Sequence, residues 1–172
     1  MENFQLYTPT ELILEPDAEN RLGQIARRYG SRALLVHYGA PFLYESGLYR
    51  RATDSLLQAG VAFWELSGVR PNPLIGLARQ GVRIARDNGV DMVLGIGGGS
   101  VIDTVKAVAA GARHDGDLWA LYTGEAQPLG ALPSGIVMTT ASTGSEGSNG
   151  SVMTNEETRE KRDVMSDCLR PA

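Results

Sequence analysis

Four small residues stand directly before a segment with helical spacing: Gly97, Gly98, Gly99 and Ser100. The first-turn N–H groups of a helix have no partner inside the helix, and the helix dipole adds a partial positive charge there. Glycines let a phosphate group approach the backbone closely, and a serine adds a hydroxyl to the same turn. Asp103 and Lys106 lie one helical turn further on, where they can pair on one face. The stretch therefore predicts an anion site that suits a pyrophosphate.

The glycine turn matches the usual dinucleotide fingerprint only in part. Ser100 replaces the third glycine, and the turn follows about the third predicted strand rather than the first. Asp117, the acid expected further along the chain, falls on a predicted loop instead of a strand end. A structural turn without a ligand, with Asp103 and Lys106 as a plain surface pair, is therefore an open alternative.

A second polar stretch rich in glycine covers residues 139–149 and follows the strand-like residues 135–138. Its threonine, serine and glycine residues surround a single carboxylate. Because ligands of open α/β folds bind at the carboxyl ends of the strands, two such loops at neighbouring strand ends favour one shared ligand. Taken by itself, the second stretch can also be a flexible polar loop.

The elements that must position both loops alternate along the chain. Apolar, strand-like runs occupy residues 32–39, 61–66, 91–96 and 134–140. Helical patterns occupy residues 46–60, 72–89 and 100–112. This alternation is typical of an α/β fold with a mainly parallel, Rossmann-like sheet and helices on both faces. We also expect an N-terminal hairpin, a first helix and a second hairpin at residues 4–16, 16–30 and 151–166.

Composition and charge narrow the class of protein. The net charge of −4 and the lack of a basic run argue against nucleic acid and anionic membranes as partners. The sequence has no apolar stretch long enough to span a membrane. Its first residues lack the charged and apolar regions of a signal peptide, so we expect none. Cys168 is the only cysteine, which excludes an internal disulfide and favours a reducing compartment. We therefore expect a cytoplasmic protein whose residues 1–172 form one domain with a sizeable core.

Three motifs, in this order, resemble the iron-type (group III) alcohol dehydrogenases. They are PNP at residues 71–73, GGGSVIDTVK at 97–106 and TTASTGSE at 139–146. Together with the opening NFQLYTPTELI, they are most similar to the branch of NAD(P)H-dependent butanol dehydrogenases and aldehyde reductases. The resemblance covers essentially the whole chain. Glycerol dehydrogenases and dehydroquinate synthases share the GGGSxxD element, whereas TGSE points to the alcohol dehydrogenases.

The resemblance implies a site for a nicotinamide dinucleotide, NADP or NAD. Asp103 would support a turn that holds the pyrophosphate: Gly97, Gly98, Gly99 and Ser100. Asn72 would lie near the nucleotide cleft, while Asn149 and Lys161 would reach the ribose next to the nicotinamide. Four hydroxyl residues would line the adenine and phosphate side: Thr139, Thr140, Thr143 and Ser145. Lys161 can equally be a solvated lysine of the second hairpin.

The end of the first predicted strand departs from the family pattern. Relatives that prefer NAD carry an acid there, which binds the ribose 2′-hydroxyl and repels a 2′-phosphate. Residues 36–47 have no acid at this turn, which removes a barrier to NADPH. However, a glycine-rich, lysine-containing turn that contacts the phosphate in NADPH-using relatives is replaced here by Ala40, Pro41, Phe42 and Leu43. Arg50 or Arg51 could substitute, although their place in a predicted helix favours solvated side chains. On balance the sequence slightly favours NADPH.

The resemblance also implies the chemistry, which is hydride transfer between the nicotinamide and a small alcohol or aldehyde, with Fe²⁺ or Zn²⁺ as Lewis acid. The metal ligands of the family, one Asp and three His, come from a helical C-terminal domain, and the chain stops before that segment. His37 and His114 match no ligand position and are ordinary surface or hydrogen-bonded histidines. Asp167 and Cys168 form an incidental pair, because no further ligands accompany them.

We therefore expect the nucleotide-binding part of a metal-dependent alcohol dehydrogenase, truncated before the metal-binding domain, inactive by itself and homo-oligomeric. A truncated sheet leaves an apolar face uncovered, which predicts self-association. The alternatives are a stand-alone nucleotide-binding module and an inactive, truncated remnant without redox chemistry. A metal-ligand set encoded beyond residue 172 discriminates between these hypotheses.

Overall fold

Four parallel strands form the central sheet of the computed structural model, which describes residues 8–142 and 144–172. In chain order they are β1 (Arg32–His37), β2 (Ala62–Leu66), β3 (Met92–Gly97) and β4 (Ser134–Met138). Their spatial order is β2-β1-β3-β4, with parallel pairing throughout. The predicted parallel sheet is confirmed, and the carboxyl ends of the four strands meet at one edge.

In the described residues, six α-helices connect or flank the strands: α1 (Leu22–Ala26), α2 (Pro41–Glu45), α3 (Leu48–Gln58), α4 (Ile75–Asp87), α5 (Gly99–Ala112) and α6 (Trp119–Thr123). Leu34 and Val93 point to the core beneath α4 and α5, while Leu35 and Leu94 point to the core beneath α1 and α3. Successive side chains of a strand point to opposite faces, so apolar strands build a core on each side. The expected helices on both faces are confirmed.

Helix α5 is buried along most of its length. Gly95 of β3 lies beneath it, and a Cβ atom at this position would come within 2.9 Å of the side chains of Val101 and Val105. The missing side chain lets the helix pack close to the strand. The position of the α5 N-terminus is therefore set by the core rather than by a surface loop.

Outside the sheet, β5 (Gly150–Asn155) and β6 (Glu160–Met165) form the predicted second hairpin as an antiparallel pair. The N–H of Thr154 donates to the carbonyl of Pro73 at 2.8 Å, which ties the hairpin to the segment before α4. The hydroxyl of Ser151 donates to the carbonyl of Asp103 in α5 at 2.9 Å. The hairpin is thus anchored to two neighbouring parts of the α/β layer.

Three N-terminal features differ from the sequence prediction. The hairpin expected at residues 4–16 begins outside the described residues, and residues 8–14 contain no strand. The helix expected at residues 16–30 is a 3-10 turn, Ala18–Arg21, followed directly by the short α1, and it begins only after Asp17, which has a left-handed conformation with φ of 56°. Helix α2 was not predicted, although Pro41 suits its first turn.

In the part of the chain that the structure describes, no helix has the length and apolar character needed to cross a membrane.

Candidate functional site

The turn between β3 and α5 presents backbone N–H groups at the start of a buried helix. Gly98 is extended and precedes the helix, and no side chain in the described residues caps the first turn. A Cβ atom on Gly97 would lie 2.5 Å from Val101, and one on Gly98 would lie 2.9 Å from Thr140. Gly99 faces open space. The turn is therefore a cradle that side chains would fill, as an anion site at a helix N-terminus requires.

The end of β4 lies directly beside this turn. Gly97 pairs with Met138 across the two strands, and the N–H of Thr139 donates to the carbonyl of Gly97 at 3.2 Å. Thr140 follows and is exposed next to Gly98. The structure thus brings Thr139 and Thr140 to the glycine turn, as the neighbouring strand ends suggested. Thr143 lies outside the described residues.

An apolar cavity of about 760 Å³ extends from the two threonines along the outer side of β4. Leu12, Ile25 and Leu94 contribute to its wall, and Thr139 and Thr140 also line it. The same two hydroxyl residues therefore border a glycine cradle on one side and an apolar cavity on the other. This arrangement can hold a molecule that has both a charged part and a flat apolar part.

Tyr38, which directly follows β1, lies over the glycine turn. Its hydroxyl accepts a hydrogen bond from the N–H of Gly98 at 3.3 Å, and its ring lies 2.8 Å from the place of a Cβ atom on Gly97. Sequence patterns alone did not indicate this residue, because a tyrosine after an apolar strand resembles ordinary core. Tyr38 directly follows a predicted parallel strand, and residues at the carboxyl ends of such strands are the ones that meet a ligand. That position is the signal that could have identified it.

Asp103 and Lys106 lie further along α5, and they do not form a plain surface pair. Lys106 is fully buried, and its Nζ donates to the carbonyl oxygens of Ser145, Ser148 and Gly150 at 2.7, 2.8 and 2.9 Å. Burial lowers the pKa of Lys106 to about 8 and raises the pKa of Asp103 to about 6. The surface-pair alternative is therefore wrong, because the lysine is used inside the protein to hold the loop that contains Ser145.

Asn72 and Lys161 come together although they are 89 positions apart in the sequence. The Nζ of Lys161 donates to Oδ1 of Asn72 at 2.8 Å, and both side chains are exposed. Asn72 has a left-handed φ of 56°, which asparagine tolerates better than most residues. Asn149 is not part of this pair. Lys161 lies opposite Thr154 in the hairpin, and Asn149 precedes Thr154 by five residues, which is about 17 Å along an extended strand. The structure therefore brings Asn72 and Lys161 together and leaves Asn149 at the other end of the hairpin.

A buried histidine and a carboxylate meet at the ends of β1 and β2. Nδ1 of His37 accepts a hydrogen bond from the N–H of Gly39 at 3.0 Å, and its Nε2 lies 3.6 Å from Oε1 of Glu65. His37 is 1 % exposed, and burial lowers its pKa against the opposing effect of Glu65. The hydroxyl of Tyr49 also donates to Glu65. An acid therefore does lie near the end of β1, but it comes from the neighbouring strand, so a search along β1 could not find it.

The described residues do not fit a metal ion. Across residues 8–142 and 144–172, no group of three or more His, Cys, Asp and Glu side chains is placed to hold one. His37 contacts the single carboxylate of Glu65, and Asp167 contacts Arg170 at 3.2 Å. A metal used in the reaction would therefore need ligands from outside the described residues.

Comparisons with known proteins identify relatives along nearly the whole chain. The sequence model of the family described as iron-containing alcohol dehydrogenase matches residues 9–172. The probable NADH-dependent butanol dehydrogenase 1 of Bacillus subtilis (strain 168) is 47% identical over 161 residues, which are 94% of this chain and 41% of the relative. The NADPH-dependent aldehyde reductase YqhD of Escherichia coli (strain K12) is 31% identical, over 99% of this chain and 44% of the relative.

A crystal structure gives the same result for the fold. The NADH-dependent butanol dehydrogenase A from Thermotoga maritima superimposes with a TM-score of 0.94 at 40% sequence identity. The match covers 99% of this chain and 43% of that protein. The chain therefore spans less than half the length of these relatives.

Proposed function

This chain belongs to the iron-containing alcohol dehydrogenases, and we propose that it forms the nucleotide-binding part of an NAD(H)-dependent alcohol dehydrogenase or aldehyde reductase. The observation that carries this proposal is the glycine turn at the start of α5, placed beside the hydroxyl-rich end of β4. Because the chain spans 41% of the length of a relative such as the Bacillus subtilis protein, the activity of the whole protein is part of the proposal.

In this proposal, the pyrophosphate lies at the N-terminus of α5. The N–H groups of Gly99 and Ser100 are available to donate to its oxygens, and that of Gly98 can do so once the phosphate displaces the hydroxyl of Tyr38. The helix dipole favours the negative charge. Gly97 contributes by allowing the close packing of the turn. Asp103 acts at a distance, because its carbonyl accepts the hydroxyl of Ser151 and so joins α5 to the hairpin.

The adenine would occupy the cavity beside β4. Its flat apolar faces suit the apolar wall, while Thr139 and Thr140 lie between this cavity and the glycine turn and can donate to the adjacent ribose or phosphate oxygens. Ser145 belongs to the loop that Lys106 holds nearby. Thr143 stays a predicted member of this group.

The nicotinamide end would lie toward the exposed pair of Asn72 and Lys161. This pair offers an amide and an ammonium, which suit the hydroxyls of the second ribose. Asn149 stays a predicted contact from the other end of the hairpin. When bound, the nicotinamide supplies or accepts the hydride, and the residues of this chain bind and orient it.

We further propose a preference for NADH over NADPH. Glu65 places a carboxylate next to the end of β1, where it disfavours a 2′-phosphate. The two arginines that could have received such a phosphate are engaged elsewhere: Arg51 donates to Glu19 at 2.7 Å, and Arg50 lies 3.5 Å from Asp54. These contacts support the proposed preference for NADH, which differs from the slight preference for NADPH that the sequence alone suggested.

The remaining parts of the reaction lie outside the described site. We propose that the substrate is a small alcohol or aldehyde, in line with the names of the relatives. We also propose that Fe²⁺ or Zn²⁺ is held by the part of the relatives that this chain does not span. Cytoplasmic location and homo-oligomeric assembly stay predictions from the sequence.

The proposal is tested by titrating the chain with NADH and following nicotinamide fluorescence. Gly98→Val should abolish binding, because its side chain would occupy the phosphate position and contact Thr140. Gly130→Val is the matched control, because this glycine has nothing within 4 Å of its Cβ position and lies away from the turn. Equal affinity of Gly98→Val and the wild-type chain would exclude the turn from the site. A wild-type chain that binds neither NADH nor NADPH would contradict the proposed function.

A further inference from the structure

The most unusual charged group in the described residues is the ammonium of Lys106. Lys106 is 0 % exposed, and lysine is almost never fully buried unless its charge has partners. Its Nζ contacts three carbonyl oxygens, those of Ser145, Ser148 and Gly150, at 2.7–2.9 Å and the hydroxyl of Ser148 at 3.1 Å. The three N–H donors of an ammonium are therefore fully used by backbone acceptors of one short loop.

The segment in question, residues 145–150, leads into β5 and is tied to the second hairpin at its C-terminal end, where the N–H of Ser166 donates to the carbonyl of Asn149 at 3.0 Å. Its internal backbone bonds are those of a single 3-10 turn, from the N–H groups of Gly147 and Ser148 to the carbonyls of Gly144 and Ser145. Two side-chain contacts join it to the residues after β6: Arg170 donates to the carbonyl of Gly147 at 2.8 Å, and the amide of Asn149 donates to Oδ1 of Asp167 at 3.4 Å. The contacts from Lys106 are thus what joins the loop to α5.

The place of Lys106 on α5 links this loop to the glycine turn. Lys106 follows Gly99, the first residue of the helix, by seven residues, which is about two turns and about 10 Å along the axis. Positions seven apart lie on the same side of a helix. The loop is therefore held along the side of α5 on which the open turn at Gly99 begins.

We propose that Lys106 is a positioning residue, whose buried ammonium holds loop 145–150 against α5 and so fixes Ser145 and Asn149 relative to the glycine turn. This role rests on the proposed function, because it matters only if these residues line a dinucleotide site. The carbonyl oxygens form a cage for a monovalent cation of ammonium type. Without the cation, three carbonyl dipoles face one another with no donor between them, and the loop leaves the helix.

The loop can be observed directly, without any ligand, by hydrogen–deuterium exchange of peptides that cover residues 145–150. Lys106→Met keeps most of the apolar stem but removes the charge, and exchange in these peptides should rise about tenfold or more. Exchange in β3, which packs against Val101 and Val105 of α5 and makes no contact with the ammonium, should stay as in the wild-type chain. Ser148→Ala keeps the ammonium and its three carbonyl acceptors. It removes the 3.1 Å contact of Nζ together with two long hydroxyl bonds inside the loop, at 3.3 and 3.4 Å, and should raise exchange by a smaller factor.

Chemical rescue separates the cation from general packing. Lys106→Ala leaves a space that propylammonium can fill, with its charged group at the place of Nζ. Propylammonium should restore slow exchange of the loop, whereas propanol, which has the same apolar stem without the charge, should not. Wild-type exchange in Lys106→Met, or equal rescue by propanol, would overturn the proposal.

The link to the site is tested by NADH titration of the same variants. Lys106→Met should weaken NADH binding about tenfold, and propylammonium should recover the affinity of Lys106→Ala. A loop that loosens without any change in NADH affinity would refute the positioning role while leaving the proposed function intact. A wild-type chain that binds no dinucleotide would refute the proposed function, and the cofactor role of Lys106 with it.

Discussion

The hydroxyl of Tyr38 accepts a hydrogen bond from the backbone N–H of Gly98 at 3.3 Å, across 60 positions of sequence. This N–H is one of the donors that the glycine turn offers to an anion. A neutral phenol oxygen thus occupies, in the free chain, a position that a phosphate oxygen would take. Charged acceptors bind N–H donors more strongly than neutral ones, so a phosphate is able to displace the phenol.

Tyr38→Phe should therefore tighten NADH binding. Removing the hydroxyl removes the competing acceptor, and a neutral hydrogen bond of about 1 kcal/mol corresponds to about a fivefold change in affinity. Isothermal titration with NADH measures the change, and Tyr44→Phe, at a tyrosine that is 49% exposed, is the control. Weaker binding of Tyr38→Phe would show instead that the hydroxyl contacts the cofactor.

Glu65→Gln should relax the preference for NADH. The substitution removes one negative charge beside the end of β1 while keeping a similar shape next to His37. We expect the affinity for NADPH to rise about threefold to fivefold at low salt, with NADH affected less, since the interaction is partly screened. Glu45→Gln removes a charge from the exposed end of α2 and is the control. An unchanged ratio of the two affinities would exclude Glu65 as the selecting acid.

Asp103→Asn should change how the stability of the fold depends on pH. The pKa of Asp103 is about 6 in the folded chain and near its ordinary value of 3.8 when unfolded, so the folded state binds more protons between these values. The unfolding free energy of the wild-type chain therefore falls as pH rises from about 4 to about 6. Between pH 4 and pH 7 the stability difference between the variant and the wild-type chain should therefore shift by roughly 2 kcal/mol in favour of the variant, allowing for solvent screening.

Urea unfolding at several pH values between 4 and 7 measures this difference. Asp163→Asn, at an exposed position of β6, should leave the pH dependence as it is in the wild-type chain. A stability difference between Asp103→Asn and the wild-type chain that does not grow with pH would show that the carboxyl group is not desolvated in the folded state.

Lys161→Met should weaken NADH binding and leave ADP binding unchanged. Lys161 and its partner Asn72 lie at the proposed nicotinamide end, and ADP has no group that reaches them. Competition between ADP and NADH measures both affinities in one series. Lys161→Met and Asn72→Ala should lower NADH affinity by similar factors, because each breaks the same pair. Equal losses for ADP and NADH would place the pair elsewhere in the site or outside it.

The chain by itself should self-associate. Leu12 and Leu14 are 74% and 95% exposed beside the apolar cavity along β4, and large exposed apolar patches favour association. Light scattering over a concentration series should show species larger than the monomer, and Leu14→Glu should reduce them. A wild-type chain that stays monomeric at high concentration would contradict this expectation.

The sheet and the glycine turn were predictable because both depend on local patterns. Apolar runs separated by helical spacing determine a parallel sheet, and the turn at residues 97–100 lies where a strand ends and α5 begins. The resemblance to the iron-type alcohol dehydrogenases was also carried by contiguous motifs, and it is confirmed by the family match over residues 9–172.

The remaining features depend on contacts between distant parts of the chain. Asp103 stands three residues before Lys106, which suggested a surface pair, but the partners of the lysine are backbone carbonyls 39–44 positions away. Backbone acceptors leave no trace in residue types. Glu65 was overlooked for a similar reason, since only the pairing of β1 with β2 brings it to His37.

The burial of α5 has a consequence for the energetics of recognition. The close approach at Gly95 holds the helix against β3, so the N–H donors of its first turn point in fixed directions before any ligand arrives. The entropy cost of ordering these donors is met when the chain folds. Little further ordering of the turn therefore opposes the binding of a ligand. The proposed dinucleotide site is in this sense preorganised, and substitutions at Val101 or Val105 in the core should weaken the proposed binding without touching the ligand.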